Sequence, residues 1–280
     1  MADGSARIIG VVSIKGGVGK TTVTANLGYS LAEEFKKRVL VIDANLGVPN
    51  LGFHLDKPFP DITLFDVLKD AVPITEAVFV HDSGLHLVLT PLSEQKADLS
   101  ELKHRLKNVL REYDFILIDS SPTLGPDLAS IMETSDELLL ITSPDYPTMS
   151  ASFKAVEMAS RLKARIRGVV VNRFKGKRFE LALENISETL GLDILAVIPE
   201  DDRVAEALSQ KSPVVFYSPN SKAALEFKKL AGSLVGAQPR SSFWGRFLTR
   251  LGLGRRASKE KQLKKRVQEL EGQLKQIKGE

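Results

Sequence analysis

Short apolar runs recur along the chain, separated by stretches with a helical spacing of apolar residues. The runs are Ile8–Ser13, Val39–Ile42, Leu85–Leu89, Phe115–Ile118, Leu138–Ile141, Val169–Val171 and Ile194–Ile198. They are rich in Val, Ile and Leu and alternate little, as strands buried on both faces do. The stretches between them predict helices over Thr22–Glu34, Leu99–Arg111, Ser150–Leu162, Glu180–Leu190, Arg203–Gln210 and Lys222–Leu234. Strands alternating with helices predict an α/β fold with a doubly wound, mainly parallel sheet. No internal repeat of fixed period is present.

The pattern changes near Gly236. Residues 1–235 read as one α/β domain, and 236–242, with Gly, Pro and two Ser, as a linker. Two further segments follow. In 243–254, Phe243, Phe247 and Leu251 are four apart, as are Trp244 and Leu248. On a helix they make one apolar face, with Arg246 and Arg250 beside or opposite it. That is the composition of a helix lying in a membrane interface. In 259–278, Leu263, Val267, Leu270, Leu274 and Ile277 follow a 4, 3, 4, 3 spacing, a heptad seam of fewer than three heptads. It is expected to pair in a dimer, bind a partner helix, or extend the membrane helix.

Charge sharpens this division. The 280-residue chain has a net charge of +4, but Pro239–Glu280 holds 12 Lys/Arg against 4 Asp/Glu, leaving 27 against 31 for the rest. A mildly acidic body with a strongly basic tail suits an anionic surface, lipid or nucleic acid. Hydrophobic residues are 43% and charged residues 26%, an ordinary globular balance. There is no cysteine, which excludes a disulfide scaffold, a zinc–cysteine site, a cysteine-ligated iron–sulfur cluster and a cysteine nucleophile. No apolar stretch is long enough to span a bilayer, and no secretory signal is evident, so the expected location is cytoplasmic. His54, His81, His86 and His104 are scattered, and structural or surface roles are expected for all four.

The first apolar run leads into Ile14-Lys15-Gly16-Gly17-Val18-Gly19-Lys20-Thr21-Thr22. Between a strand and a helix, this is the context of a phosphate-binding loop. Glycines let backbone N–H groups turn toward phosphate oxygens, and the helix N-terminus adds partial positive charge. Lys20 is placed to reach the β/γ-phosphates and Thr21 to ligate Mg²⁺. Asp43 and Asp119 each end an apolar strand, where a carboxylate can hold Mg²⁺, directly or through water.

The loop resembles the deviant phosphate loop of the MinD/ParA ATPases, Lys-Gly-Gly-x-Gly-Lys-Thr. The resemblance extends from Ile8 to Leu234. Val41-Ile42-Asp43-Ala44-Asn45-Leu46-Gly47 falls where that family has switch I, and Ile116-Leu117-Ile118-Asp119-Ser120-Ser121-Pro122 resembles its Walker B and switch II. The resemblance implies ATP and Mg²⁺ as cofactors, and a Lys15 that reaches across a dimer to the partner's ATP. It also implies Asn172 on the adenine edge, with Pro199, Glu200 and Asp201 lining the base. Many members carry Asp where this chain has Asn45, at a position thought to orient the attacking water. Asn cannot act as a base, so slow hydrolysis and a long-lived ATP dimer are expected. MinD-type members also end in a short amphipathic membrane-targeting helix.

The function expected is a dimerising switch ATPase, MinD-like and peripheral on the inner membrane face. Its ATP state binds anionic lipid and positions a protein partner in cell division or a polar complex. The alternatives are a ParA-like partition ATPase that binds DNA, and a nucleotide-binding scaffold with negligible hydrolysis. The aromatic face of 243–254 favours lipid, because nonspecific DNA binding needs Lys and Arg rather than Phe and Trp.

Overall fold

The computed structural model describes residues 5–57, 60–92 and 97–237. The membrane-helix and heptad segments, 243–254 and 259–278, lie outside the described residues. So do most of the linker and the residues expected to meet lipid, Phe243, Trp244, Arg246, Phe247, Leu248, Arg250 and Leu251.

The described strands are β1 (Arg7–Val12), β2 (Val39–Ala44), β3 (Phe79–Val80), β4 (His86–Val88), β5 (Phe115–Ser120), β6 (Glu137–Thr142), β7 (Ile166–Phe174) and β8 (Ile194–Pro199). They form one sheet in the order β3-β4-β2-β5-β1-β6-β7-β8. All pairings are parallel except β3 with β4 at one edge. The helices are α1 (Lys20–Glu33), α2 (Leu51–His54), α3 (Leu64–Leu68), α4 (Leu102–Leu106), α5 (Pro126–Thr134), α6 (Tyr146–Arg161), α7 (Leu183–Leu190), α8 (Asp202–Ser209), α9 (Val214–Tyr217) and α10 (Lys222–Leu234). Each of the seven expected strands is present. Their lack of alternation has its cause in burial on both faces: every residue of β2, β5 and β6 is buried.

On one face α1, α9 and α10 cover the sheet. Leu27, Leu31, Val215, Phe227 and Leu230 pack there onto Ile9, Val41, Leu117 and Leu139. On the other face α5 lies beneath β1 and β5, and α6 beneath β6. Central β1 is flanked by β5 and β6: the connection from β1 through α1 runs to β2 on one side, and that from β5 through α5 passes β1 to β6 on the other. The phosphate loop follows the carboxyl end of β1, the side on which open α/β sheets bind ligands.

Four expectations need correction. The helix expected over Leu99–Arg111 is a 3-10 turn at Leu99–Glu101 followed by α4 alone. After Leu106 the chain tightens into turns, with Lys107 N–H on the His104 carbonyl and Val109 N–H on that of Leu106. The helix expected from Glu180 starts at Leu183, because the Glu180 carboxylate accepts from the N–H groups of Lys175 and Lys177 and holds a loop. Helix α6 starts at Tyr146 rather than Ser150, capped by Asp145, whose side chain accepts from Thr148 N–H. Helix α5 was not expected at all. It buries Leu128, Ile131 and Met132, but its apolar and polar residues are less cleanly divided between two faces than those of the shorter α7 and α8.

Two details fix the ends of the body. Helix α10 closes with Gly236 at φ 77° and Ala237 N–H on the Gly232 carbonyl, a Schellman stop. At the amino ends of the strands, buried Glu137 is ion-paired to Arg7, Arg165 and Arg167 at 3.9, 3.2 and 3.0 Å. Arg7 also lies over the Phe115 ring, and both Arg7 and Arg167 donate to the last carbonyls of α10.

Candidate nucleotide and magnesium site

The loop between β1 and α1 contains two glycines in the left-handed region, Gly17 at φ 78° and Gly19 at φ 90°. Gly19 caps α1. A Cβ there would lie 2.3 Å from the Asn172 Nδ2, so glycine is required by conformation and by space. Asn172, near the end of β7, donates through Nδ2 to the Val18 carbonyl at 2.7 Å. It supports the loop from the side of β7. The next residue, Arg173, is left-handed at φ 58°, where the β7–β8 register slips.

Lys20 opens α1 and is 7% exposed. Burial lowers the pKa of its ammonium, and the Asp119 charge acts in the opposite sense. Thr21 donates to Asp119 Oδ2 at 2.6 Å, and Thr24 approaches Oδ1 at 3.3 Å. The parallel register sets Asp43 of β2 directly beside Asp119 of β5. Both carboxylates are buried. Burial raises the pKa of Asp119, against the pull of the Thr21 hydrogen bond, Lys20 and Thr24. Burial raises that of Asp43 too, and the neighbouring Asp119 charge raises it further, against three backbone donors.

Those donors give Asp43 a second task. Its Oδ1 accepts from Asn45 N–H, and its Oδ2 from Asn50 N–H at 3.1 Å and Leu51 N–H at 3.0 Å. It thus holds the loop after β2 and the start of α2. Asn45 is turned into that loop: its amide nitrogen donates to the Val48 carbonyl and its oxygen accepts from Val48 N–H. Lys15 leaves its own phosphate loop sideways. Its Nζ is 3.9 Å from Asp145 Oδ1 at the start of α6, and its side chain is 40% exposed.

Beyond β8, Glu200 N–H donates to the Phe174 carbonyl. The Asp201 side chain accepts from Arg203 N–H and Ala223 N–H, capping α8 and tying it to α10. Glu200 lines a cavity of about 300 Å³ with Ser143, Pro144, Asp145, Arg173, Lys175, Phe179 and Glu180. Gly16, Gly17, Val18, Gly19, Lys20, Thr21, Thr22, Asp43 and Asp119 therefore converge at the carboxyl end of the sheet. Asp201 serves as a helix cap, and Asn172 faces the phosphate loop. His54 was missed as a neighbour of this site: its ring approaches Thr22, and a lone histidine gives no spacing by which sequence could find it.

The residues fit a magnesium nucleoside triphosphate. The loop offers N–H groups, a buried ammonium and a hydroxyl against an under-compensated carboxylate. The Ser121 hydroxyl, two residues past Asp119, is buried without a partner in the protein. Among the described residues no group of three or more His, Asp or Glu could hold a metal alone. That suits Mg²⁺, which takes few protein ligands and completes its octahedron with phosphate and water.

This fold and loop define a phosphate-loop nucleotide-binding protein. The chain belongs to the CobQ/CobB/MinD/ParA nucleotide binding domain family, whose pattern matches residues 9–214. It is 32% identical over 234 residues to an uncharacterized ATP-binding protein of Methanocaldococcus jannaschii, with 82% of this chain and 88% of that protein covered. It is 31% identical over 240 residues to the septum site-determining protein MinD of Thermotoga maritima, with coverage again of 82% and 88%. The solved MinD of Pyrococcus horikoshii, complexed with Mg-ADP, superposes with a TM-score of 0.77 at 33% identity. That match covers 82% of this chain and 96% of the other.

Proposed function

We propose that this protein is an ATP-driven dimerising switch of the MinD type. It binds ATP with Mg²⁺ in the loop of residues 15–22, pairs with a second copy across that loop, and hydrolyses ATP slowly. The observation that carries the reading is the pairing of an exposed cation with an under-compensated site. Lys15 stands half out of its own loop beside Asp145, while the buried ammonium of Lys20 acts on Asp119, and Asp43 beside it is held by backbone N–H groups. Phosphoryl transfer needs charge at the transferring group, and a lysine delivered from a second copy supplies it only in the dimer. Hydrolysis then waits on dimerisation.

The chain's residues have separable tasks. Lys20 and the loop N–H groups bind the phosphates, and Thr21 meets Mg²⁺ with Asp119 behind it. Asp43 keeps the loop after β2 in place. Asn45 spends its amide on Val48, and without a carboxylate there no side chain takes the water's proton, which supports slow turnover. The base is expected to extend toward the ends of β7 and β8, where Asn172, Pro199, Glu200 and Asp201 lie.

The basic tail makes the ATP dimer a membrane binder. One helix the length of 243–254 binds lipid weakly, and two held in one dimer bind far more tightly by avidity. The dimer then sits on the inner membrane face and recruits a protein partner, with 259–278 as a candidate docking segment. Co-sedimentation of the full chain with anionic liposomes tests this. Pelleting in ATP but not in ADP is expected, and it should be lost on Phe243→Glu/Trp244→Glu/Phe247→Glu with nucleotide binding kept. No pelleting in either nucleotide would refute the membrane reading and bring forward the DNA-binding alternative, whose affinity should fall steeply with salt.

A further inference from the structure

Helix α1 begins at Lys20, so Thr22 is the third residue of the turn that faces the phosphate loop. Helix α2 closes the loop that follows β2, and its last residue is His54. The imidazole lies between the two. Its Nδ1 is 2.9 Å from the Asn50 carbonyl oxygen, and its Nε2 is 3.3 Å from Thr22 Oγ1. A carbonyl oxygen only accepts, so Nδ1 bears the hydrogen. Burial lowers the pKa of the ring, which keeps it neutral near pH 7 and leaves Nε2 with a lone pair. The Thr22 hydroxyl therefore donates to His54. At the other end of the bridge, Asn50 is anchored through its N–H on Asp43.

Phosphate oxygens carry lone pairs and no hydrogen, so a phosphate at Thr22 needs the proton that His54 takes. We infer that His54 competes with the bound nucleotide for the Thr22 hydroxyl, so that phosphate binding frees the loop of residues 45–50 from helix α1. His54 is then a positioning residue that sets both nucleotide affinity and the attachment of that loop. The inference rests on the ATP reading of the site, and it adds a residue outside the glycine-rich motif.

The test is titration calorimetry of the full chain with Mg·ADP and Mg·ATP. His54→Phe keeps a ring and removes the acceptor. It should tighten both nucleotides by roughly 3- to 10-fold, the scale of one neutral hydrogen bond. His54→Gln can accept at the Nε2 position and should bind as wild type does. In Thr22→Val, which binds more weakly, adding His54→Phe should change nothing. Should the Phe variant fail to fold, His54→Asn, which keeps the Asn50 contact and gives up Thr22, carries the same expectation. Hydrogen exchange without nucleotide gives an independent readout: the Asn50 and Leu51 amides should exchange faster in His54→Phe than in wild type. Unchanged or weaker affinity in a folded His54→Phe, or tightening that persists with Thr22→Val, overturns the inference alone. Failure of wild type to bind either nucleotide overturns the ATP reading with it.

Discussion

The two ends of the sheet treat buried carboxylates in opposite ways. At the amino ends, Glu137 has three guanidiniums within ion-pair distance. At the carboxyl ends, Asp43 and Asp119 lie side by side with one ammonium, two threonine hydroxyls and a few backbone N–H groups between them. Charge is over-supplied at one end and under-supplied at the other. The cluster of guanidiniums around one carboxylate ties β1, β6 and β7 to the last carbonyls of α10. A carboxylate pair with a single ammonium beside it is costly to bury and becomes more stable when a further cation arrives. The first arrangement fastens the fold; the second leaves negative charge for Mg²⁺ and, on the function proposed above, for a second copy's Lys15.

Substitutions at each end sharpen that contrast. The largest effect is expected from Lys20→Ala, which removes the one buried cation of the loop. Nucleotide affinity should fall by at least about 100-fold in calorimetry, the scale of a lost charged phosphate contact in a buried site. Glu137→Ala should act on stability alone. It leaves Arg7 and Arg167 partly buried without their carboxylate, costing about 3–5 kcal/mol in denaturant unfolding, with nucleotide affinity unchanged. Equal losses at both ends would show that the two clusters are not separate in function.

The next effect is one of pH. Asp43 and Asp119 have folded pKa values raised by burial, and that of Asp43 is raised further by the Asp119 charge. The folded state therefore holds protons that the unfolded state has released. Stability without Mg²⁺ should fall as pH rises from about 4, the ordinary carboxylate value, toward neutrality. Asp119→Asn should flatten that slope, and Mg·ATP should flatten it for wild type. A Mg²⁺-free slope that rises over the same range would contradict the under-compensated pair. Lys15→Ala should have the smallest effect on the isolated chain. Its pairing with Asp145 is 3.9 Å long and well exposed, so thermal unfolding should shift by less than about 1 kcal/mol.

Much of this was legible in the residues. Seven of the eight described strands and the phosphate loop follow from unbroken apolar runs and from glycines before Lys20, both of them local signals. What escaped depends on contacts far apart in the chain or on elements whose apolar residues keep no clear period. Asn172 meets Val18 across 154 positions, and nothing near either residue announces it. Helix α5 and the two-residue β3 carry too little pattern. The double use of Asp43, as neighbour of Asp119 and as anchor of Asn50 and Leu51, needs the register of β2 against β5. His54 is one histidine in a loop, and only the fold brings it to Thr22.

The central claim is that ATP, through Lys15, joins two copies. Light scattering of the full chain with Mg·ATP and with Mg·ADP measures this most directly. The account predicts a mass of two chains in ATP and one in ADP, with Lys15→Ala staying at one chain while still binding ATP. The same mass in both nucleotides, or an ATP dimer that survives Lys15→Ala undiminished, would contradict it.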